Sequence, residues 1–278
     1  MEALLQAALL GVVQGLTEFL PVSSSGHLVL AQAAYGESFI FAEQAVAFDL
    51  VLHLGTLLPV FWFYRVELGS MVRATLGSSP FAERAGVLSW VRTDPHRYLA
   101  LLVVLATVPT ALMGVLLKDV FERLFHSVTA VCVALLLTGA LLFATRFARR
   151  ADAAEQNLNV RLALLIGVVQ GLAITPGISR SGSTIAVALL LGLDRESAAR
   201  FSFLMSIPAI CGAVVLMLRD GIALAETDPL VLATGFGSAM LVGYGALVML
   251  VALVRRGNLH RFTYYLWPAA IVAYLWLG

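Results

Sequence analysis

Gln14 and Glu18 stand one helical turn apart, and Ser23, Ser24, Ser25 and His27 follow them beyond Pro21. On a helix the first two share a face, while the hydroxyls and the imidazole fall in the turn beyond. A carboxylate among Val, Leu and Phe side chains keeps its charge only beside a cation or a set of hydrogen-bond donors. Glu18 is therefore a candidate general base, or one ligand of a divalent cation such as Mg²⁺ or Ca²⁺ with Gln14 as a neutral oxygen ligand. His27 is the candidate acid or base near neutral pH, and a serine hydroxyl of the turn is a candidate nucleophile, the alternative being a water that His27 orients. Taken alone, the turn reads equally as a helix cap with a satisfied histidine.

A second set lies in Thr175-Pro-Gly-Ile-Ser-Arg-Ser-Gly-Ser-Thr184, just ahead of another apolar run. Glycines let the backbone turn its N–H groups toward one point, the following helix start adds partial positive charge, and Arg180 offers a planar fork of donors. Such a turn suits phosphate, with Ser179, Ser181, Ser183 and Thr184 as further hydroxyl donors. The competing reading makes the serines and threonine caps and lets Arg180 reach a lipid headgroup. Together the two sets pair anion-binding donors with a carboxylate, hydroxyls and an imidazole, a combination suited to splitting a phosphoanhydride.

The two sets are copies. Residues 11–27 laid on 167–183 without a gap match at Gly11/Gly167, Val12/Val168, Val13/Val169, Gln14/Gln170, Gly15/Gly171, Leu16/Leu172, Ser23/Ser179, Ser25/Ser181 and Gly26/Gly182. Composition alone would give about two matches. The differences fall on reactive types: Glu18 aligns with Ile174, Ser24 with Arg180 and His27 with Ser183.

The elements that must position these residues are membrane elements. The 278-residue chain is 60% hydrophobic and 13% charged, with a mean hydropathy of +0.91, which reads as an all-α integral membrane protein. A net charge of +1 with dispersed arginines gives no sign of a nucleic-acid partner. The N-terminal Met1-Glu-Ala-Leu-Leu carries no evident removable signal, so insertion is expected to rely on the spans themselves. Runs of the required length, about 17 to 25 residues, fall near 47–64, 98–117, 127–146, 198–218, 230–254 and 262–277. Six full spans are thus expected. The copies, near 5–34 and 161–193, are broken by Pro, Gly and Ser and read as two re-entrant helical hairpins, with kinked full spans as the alternative.

Arginines at 65, 73, 84, 92 and 97, at 146, 149, 150 and 161, and at 255, 256 and 261 assign three loops to the cytoplasmic side. The 65–97 loop could instead hold an amphipathic surface helix. Three spans per half make the second hairpin enter from the face opposite to the first. The expected architecture is an inverted-topology repeat in one membrane domain, repeat one about 1–147 and repeat two about 160–278, with the hairpins meeting near the midplane.

Other polar residues have smaller expected parts. Asp49 and His53 share a helix face that supports the pocket; His96, His126 and His260 lie at span ends; Tyr264, Tyr265, Trp267, Tyr274 and Trp276 read as interfacial or packing residues; Cys132 and Cys211 read as small packed hydrophobes.

Gln14-Gly-Leu-Thr-Glu-Phe-Leu-Pro-Val-Ser-Ser-Ser-Gly-His27 and Pro176-Gly-Ile-Ser-Arg-Ser-Gly-Ser-Thr184 resemble the two signatures of the bacterial undecaprenyl-pyrophosphate phosphatase family, also known for bacitracin resistance. The likeness extends to Phe48-Asp-Leu-Val-Leu-His-Leu-Gly55 and Phe201-Ser-Phe-Leu-Met-Ser-Ile-Pro208. It implies a hydrolase of the bacterial plasma (inner) membrane that removes the terminal phosphate of a C55 isoprenyl pyrophosphate, recycling the lipid carrier for cell-wall synthesis, in a pocket open to the outer, periplasmic face. It assigns catalysis to Glu18, Ser24, His27 and Arg180, substrate binding to Ser23, Ser25, Ser179, Ser181 and Thr184, and the metal to Glu18 and Gln14. Many family members carry Glu where Gln14 stands, so a two-carboxylate metal site is less expected here. The partners implied are the isoprenyl pyrophosphate and membrane lipids, with a homodimer left open. A lipid flippase or secondary transporter built on the same repeat is the competing class. A type 2 phosphatidic acid phosphatase would need a Lys-bearing first motif and a histidine soon after Ser-Arg, which Lys118 and His260 do not supply.

Overall fold

The computed structural model describes residues 1–35, 45–77, 87–148, 158–219 and 228–278. These residues form helices and turns without a strand: α1 (Glu2–Phe19), α2 (Ser24–Tyr35), α3 (Ala45–Phe63), α4 (Arg65–Leu76), α5 (Val87–Thr93), α6 (Pro95–Leu116), α7 (Lys118–Phe125), α8 (Val128–Ala144), α9 (Val160–Leu172), α10 (Arg180–Leu190), α11 (Arg195–Arg219), α12 (Pro229–Arg255) and α13 (Thr263–Leu277). Side chains start the long helices: Asp94 accepts the N–H groups of His96 and Arg97 ahead of α6, Ser127 that of Ala130 in α8, and Asp228 that of Leu230 in α12. Each satisfies a donor that the first helical turn leaves free.

Four stretches are long and apolar enough to cross a membrane, Pro95–Leu116, Val128–Phe147, Arg195–Leu216 and Pro229–Arg255, so the protein is a multi-pass membrane protein. The two other expected spans are shorter where described: the apolar stretch Phe48–Phe63 of α3 and α13, of 15 residues. In the 65–97 segment two helices form, α4 and α5. Arg84, Arg149 and Arg150, and the mixed-charge loop at 220–227, lie outside the described residues.

The matched glycines are packing points. α1 lies along α12 and α9 along α6. A Cβ on Gly15 would sit 2.8 Å from the Ala239 carbonyl oxygen and 2.8 Å from the Gly243 nitrogen, while Gly11 faces Gly235 and Ser238. In the second copy Gly167 faces the Ala106 backbone and Gly171 faces Met113. Numbers rise together on both sides of each contact, so each pair runs in the same direction. With no apolar driving force between helices in lipid, such backbone approach is a main source of association. α3 also packs on α12 beside α1, with Gly55 against Phe236 and Ala239.

One end of the bundle is tied by charge. Arg200 meets Glu67 at 3.2 Å, Arg255 meets Glu196 at 3.2 Å, and Arg195 donates to the Arg255 carbonyl at 3.1 Å. The end of α3, the start of α11 and the end of α12 therefore lie together.

Candidate active site

The α1–α2 and α9–α10 turns meet tip to tip. A Cβ on Gly26 would lie 2.9 Å from the Gly177 Cα, and one on Gly182 would lie 2.9 Å from the Pro21 Cβ. Pro21 and Gly177 occupy aligned positions, as do Gly26 and Gly182, so the contact is reciprocal. Ser23 Oγ accepts the Gly177 N–H across the joint at 3.1 Å.

Each turn is shaped by the same device. Ser23 Oγ accepts the Gly26 N–H at 3.3 Å and lies 3.4 Å from Ser25 Oγ; Ser179 Oγ accepts the Gly182 N–H at 3.1 Å and lies 3.3 Å from Ser181 Oγ. These four serines, expected to bind substrate, serve in this state to cap and brace the helix starts. Thr184, also expected to bind substrate, donates to the Arg180 carbonyl at 2.7 Å and pairs with Ser202 of α11 at 2.6 Å. Thr138 of α8 pins the second tip, donating to the Gly177 carbonyl at 2.9 Å and accepting the Ser179 N–H at 3.2 Å.

Glu18 is the hub that joins the halves. α1 continues through Phe19, so Glu18 stays helical down to the joint, whereas α9 ends at Leu172 and its counterpart Ile174 falls in the turn. Glu18 Oε1 takes a 2.6 Å ion pair from Arg180 Nη2. Oε2 accepts from Ser24 Oγ at 2.9 Å and from Gln14 Nε2 at 3.1 Å, and lies 3.6 Å from His53 Nε2. A carboxylate at a helix C-terminus opposes the macrodipole; Arg180 and the starts of α2 and α10 offset this. Arg180 Nη1, Gln14 Oε1 and Ser183 Oγ are buried without a hydrogen-bond partner among the described residues. Unpaired buried groups are costly, and a ligand's oxygens or a cation could satisfy them.

Of the expected residues, Gln14, Glu18, Ser24 and Arg180 come together. His27 is bound elsewhere: its Nδ1 lies 2.8 Å from the Ser23 carbonyl and its Nε2 2.7 Å from the Tyr265 hydroxyl. The imidazole beside Glu18 is that of His53, whose Nδ1 lies 2.8 Å from the backbone carbonyl of Asp49, not its carboxylate. The sequence places His53 in support of the pocket and reads Tyr265 as an interfacial or packing aromatic. For His53 the i, i+4 pattern with Asp49 in an apolar run was the available signal; Tyr265 and Thr138 had none.

The bacitracin resistance protein BacA family model matches residues 7–272. The chain is 46% identical over 277 residues to the undecaprenyl-diphosphatase of Desulfosudis oleivorans, covering 99% of this chain and 98% of that protein. It is 44% identical over 283 residues to that of Rubrobacter xylanophilus, covering both in full at 100%, and 40% identical over 273 residues to that of Methanobrevibacter smithii, covering 98% and 97%. A match from the first helix to the last, including both turns that meet at Glu18, establishes that the chain belongs to the bacitracin resistance protein BacA family.

Proposed function

We propose that the chain hydrolyses undecaprenyl diphosphate to undecaprenyl phosphate and inorganic phosphate, returning the lipid carrier to cell-wall synthesis. The observation that carries this is the Glu18 network: one carboxylate holds a serine hydroxyl on one oxygen and an arginine on the other, where two helix N-termini converge. Arg180, through the free Nη1, binds the diphosphate. Ser24 Oγ gives its proton to Glu18 and attacks the terminal phosphorus; the bridging P–O bond breaks and undecaprenyl phosphate leaves. A water then cleaves the phosphoserine, releasing phosphate and restoring the hydroxyl proton. His27 serves as acid or base in this second half.

The donors fit a divalent cation shared with the substrate and do not fit a closed protein cage. Gln14 Oε1 is an unpartnered oxygen beside Glu18, and no cluster of three or more His, Cys, Asp or Glu residues occurs among the described residues. Glu18 and Gln14 would hold the ion with the substrate's oxygens, where it would neutralise phosphate charge.

The contacts also support an inverted repeat of about 1–147 and 160–278, with six crossings and two re-entrant hairpins. α9 runs with α6 and α1 with α12, while α3 and α12 end and α11 begins at the arginine-rich end. The α9–α10 hairpin then enters and leaves on that side and the α1–α2 hairpin on the other. With the arginines cytoplasmic in the bacterial inner membrane, the first hairpin and its serine turn open to the outer face.

The test is phosphate release from undecaprenyl or farnesyl diphosphate by the purified protein in detergent with Mg²⁺ or Ca²⁺. Wild type is expected to turn over and Ser24→Ala to lose turnover. Wild type without phosphate release would sink the phosphatase reading in favour of a flippase or transporter, and near-normal Ser24→Ala would replace the serine by water.

A further inference from the structure

The contact between His27 and Tyr265 joins the reacting hairpin to the last helix, and no step above uses it. The Ser23 carbonyl can only accept, so His27 Nδ1 carries a proton and donates to it at 2.8 Å. In the neutral ring Nε2 is then an acceptor, and the group 2.7 Å away is the Tyr265 hydroxyl, which must donate. The two rings also stack, with centroids 5.8 Å apart and planes 10° apart. His27 lies one turn beyond Ser24 on α2, so both residues project from neighbouring positions on one face.

We propose that Tyr265 is a positioning residue for the phosphatase reaction, fixing the His27 ring with its Nε2 lone pair aimed from the α2 face that also carries Ser24. The proposal rests on the phosphatase reading and on His27 as its acid or base. An imidazole held by one bond to its own helix can still rotate and exchange tautomers. The stacked tyrosine blocks rotation, and its hydroxyl requires the lone pair at Nε2. Tyr265 lies at the surface of the helix bundle, 49% exposed, and its hydroxyl must cede Nε2 before that nitrogen exchanges a proton with substrate or product phosphate. Because Tyr265 belongs to α13, the second half of the chain orients the imidazole of the first, as Arg180 of the second half holds its carboxylate.

The test uses the full-length protein in detergent with farnesyl diphosphate and Mg²⁺, comparing wild type, Tyr265→Phe, His27→Ala, the double variant and the neighbouring Tyr264→Phe. Phenylalanine keeps the ring stack and the fold, which the melting midpoint checks. Tyr265→Phe is expected to lower kcat about tenfold with KM nearly unchanged. The double variant should be no slower than His27→Ala alone, and Tyr264→Phe should match wild type. Losses that multiply in the double variant, a change confined to KM, or wild-type kcat in Tyr265→Phe or His27→Ala would each overturn the proposal. Inactivity of the wild type would instead overturn the phosphatase reading on which it stands.

Discussion

In the first turn the residue after the capping serine is Ser24; in the second it is Arg180, and the two reach opposite oxygens of the same carboxylate, at 2.9 and 2.6 Å. Both occupy the first position of a helix whose cap, brace and glycine are otherwise alike. Duplication therefore supplied two equivalent launch points at the joint. One came to carry a hydroxyl and the other a cation, and Glu18 appears in the first copy alone. The lesson is that matched glycines and serines build the scaffold, while the proposed nucleophile, base and phosphate-binding cation all fall at unmatched positions.

Removing either unmatched partner should have the largest effect. Arg180→Ala should lower kcat/KM for diphosphate hydrolysis about 10²- to 10³-fold, the size typical of losing one preorganised donor to a charged transition state. Glu18→Gln removes the base while keeping the shape, and about 10²- to 10⁴-fold is expected. The double variant should fall well short of the product of these losses, because each single change strands a buried partner that the double change removes. Independent, multiplicative losses measured by phosphate release would show that the two residues do not act as one unit.

The matched glycines are not equivalent in what they face. Gly15 and Gly171 are aligned, yet a Cβ on Gly15 meets backbone of α12, while one on Gly171 meets the Met113 sulfur, 2.5 Å away at the end of a flexible side chain. Gly15→Ala should cost about 2 to 3 kcal/mol, since backbone cannot withdraw. Gly171→Ala should cost less than about 1 kcal/mol, because Met can adopt another rotamer. Melting midpoints in detergent check the order, and equal effects would mean that the two helix pairs pack alike.

The helical, membrane-spanning character of the chain was legible because apolar run length is a property of sequence alone. So was the convergence of Gln14, Glu18, Ser24 and Arg180, because two broken copies in an apolar chain have few ways to hide their charges except against each other. The role of the matched serines was not, since Ser-x-x-Gly is equally a phosphate turn and a cap until the N–H it accepts is known. The hydrogen bonds from Gly26 and Gly182 show Ser23 and Ser179 acting as caps. The placement of His27 was not legible either, whereas His53 was expected on the helix face toward the pocket and lies there. Which imidazole faces Glu18 depends on how α3 and α13 dock against α2 and α1, and no local spacing encodes that. Nor could a sequence distinguish Tyr265, bound to His27, from Tyr264 beside it.

The smallest expected difference lies between the two caps, and it tests whether the halves are equal even where they match. Ser179 Oγ accepts one backbone N–H, from Gly182; Ser23 Oγ accepts two, from Gly26 and from Gly177 of the opposite turn. Ser23 also sits at φ 71°, a left-handed conformation that a side chain resists, whereas Ser179 has φ −72°. In the second turn the left-handed residue is Gly177, which takes φ +93° without that resistance. Ser179→Ala should therefore cost about 1 kcal/mol, the usual loss of a cap. Ser23→Ala should cost about 2 kcal/mol, because it also strands the Gly177 N–H. Ser23→Gly should recover part of that loss by relieving the strain, and Ser179→Gly should differ little from Ser179→Ala. If melting midpoints in detergent place Ser23→Ala and Ser179→Ala together, the hydrogen bond across the joint contributes nothing and the two tips are held by packing alone.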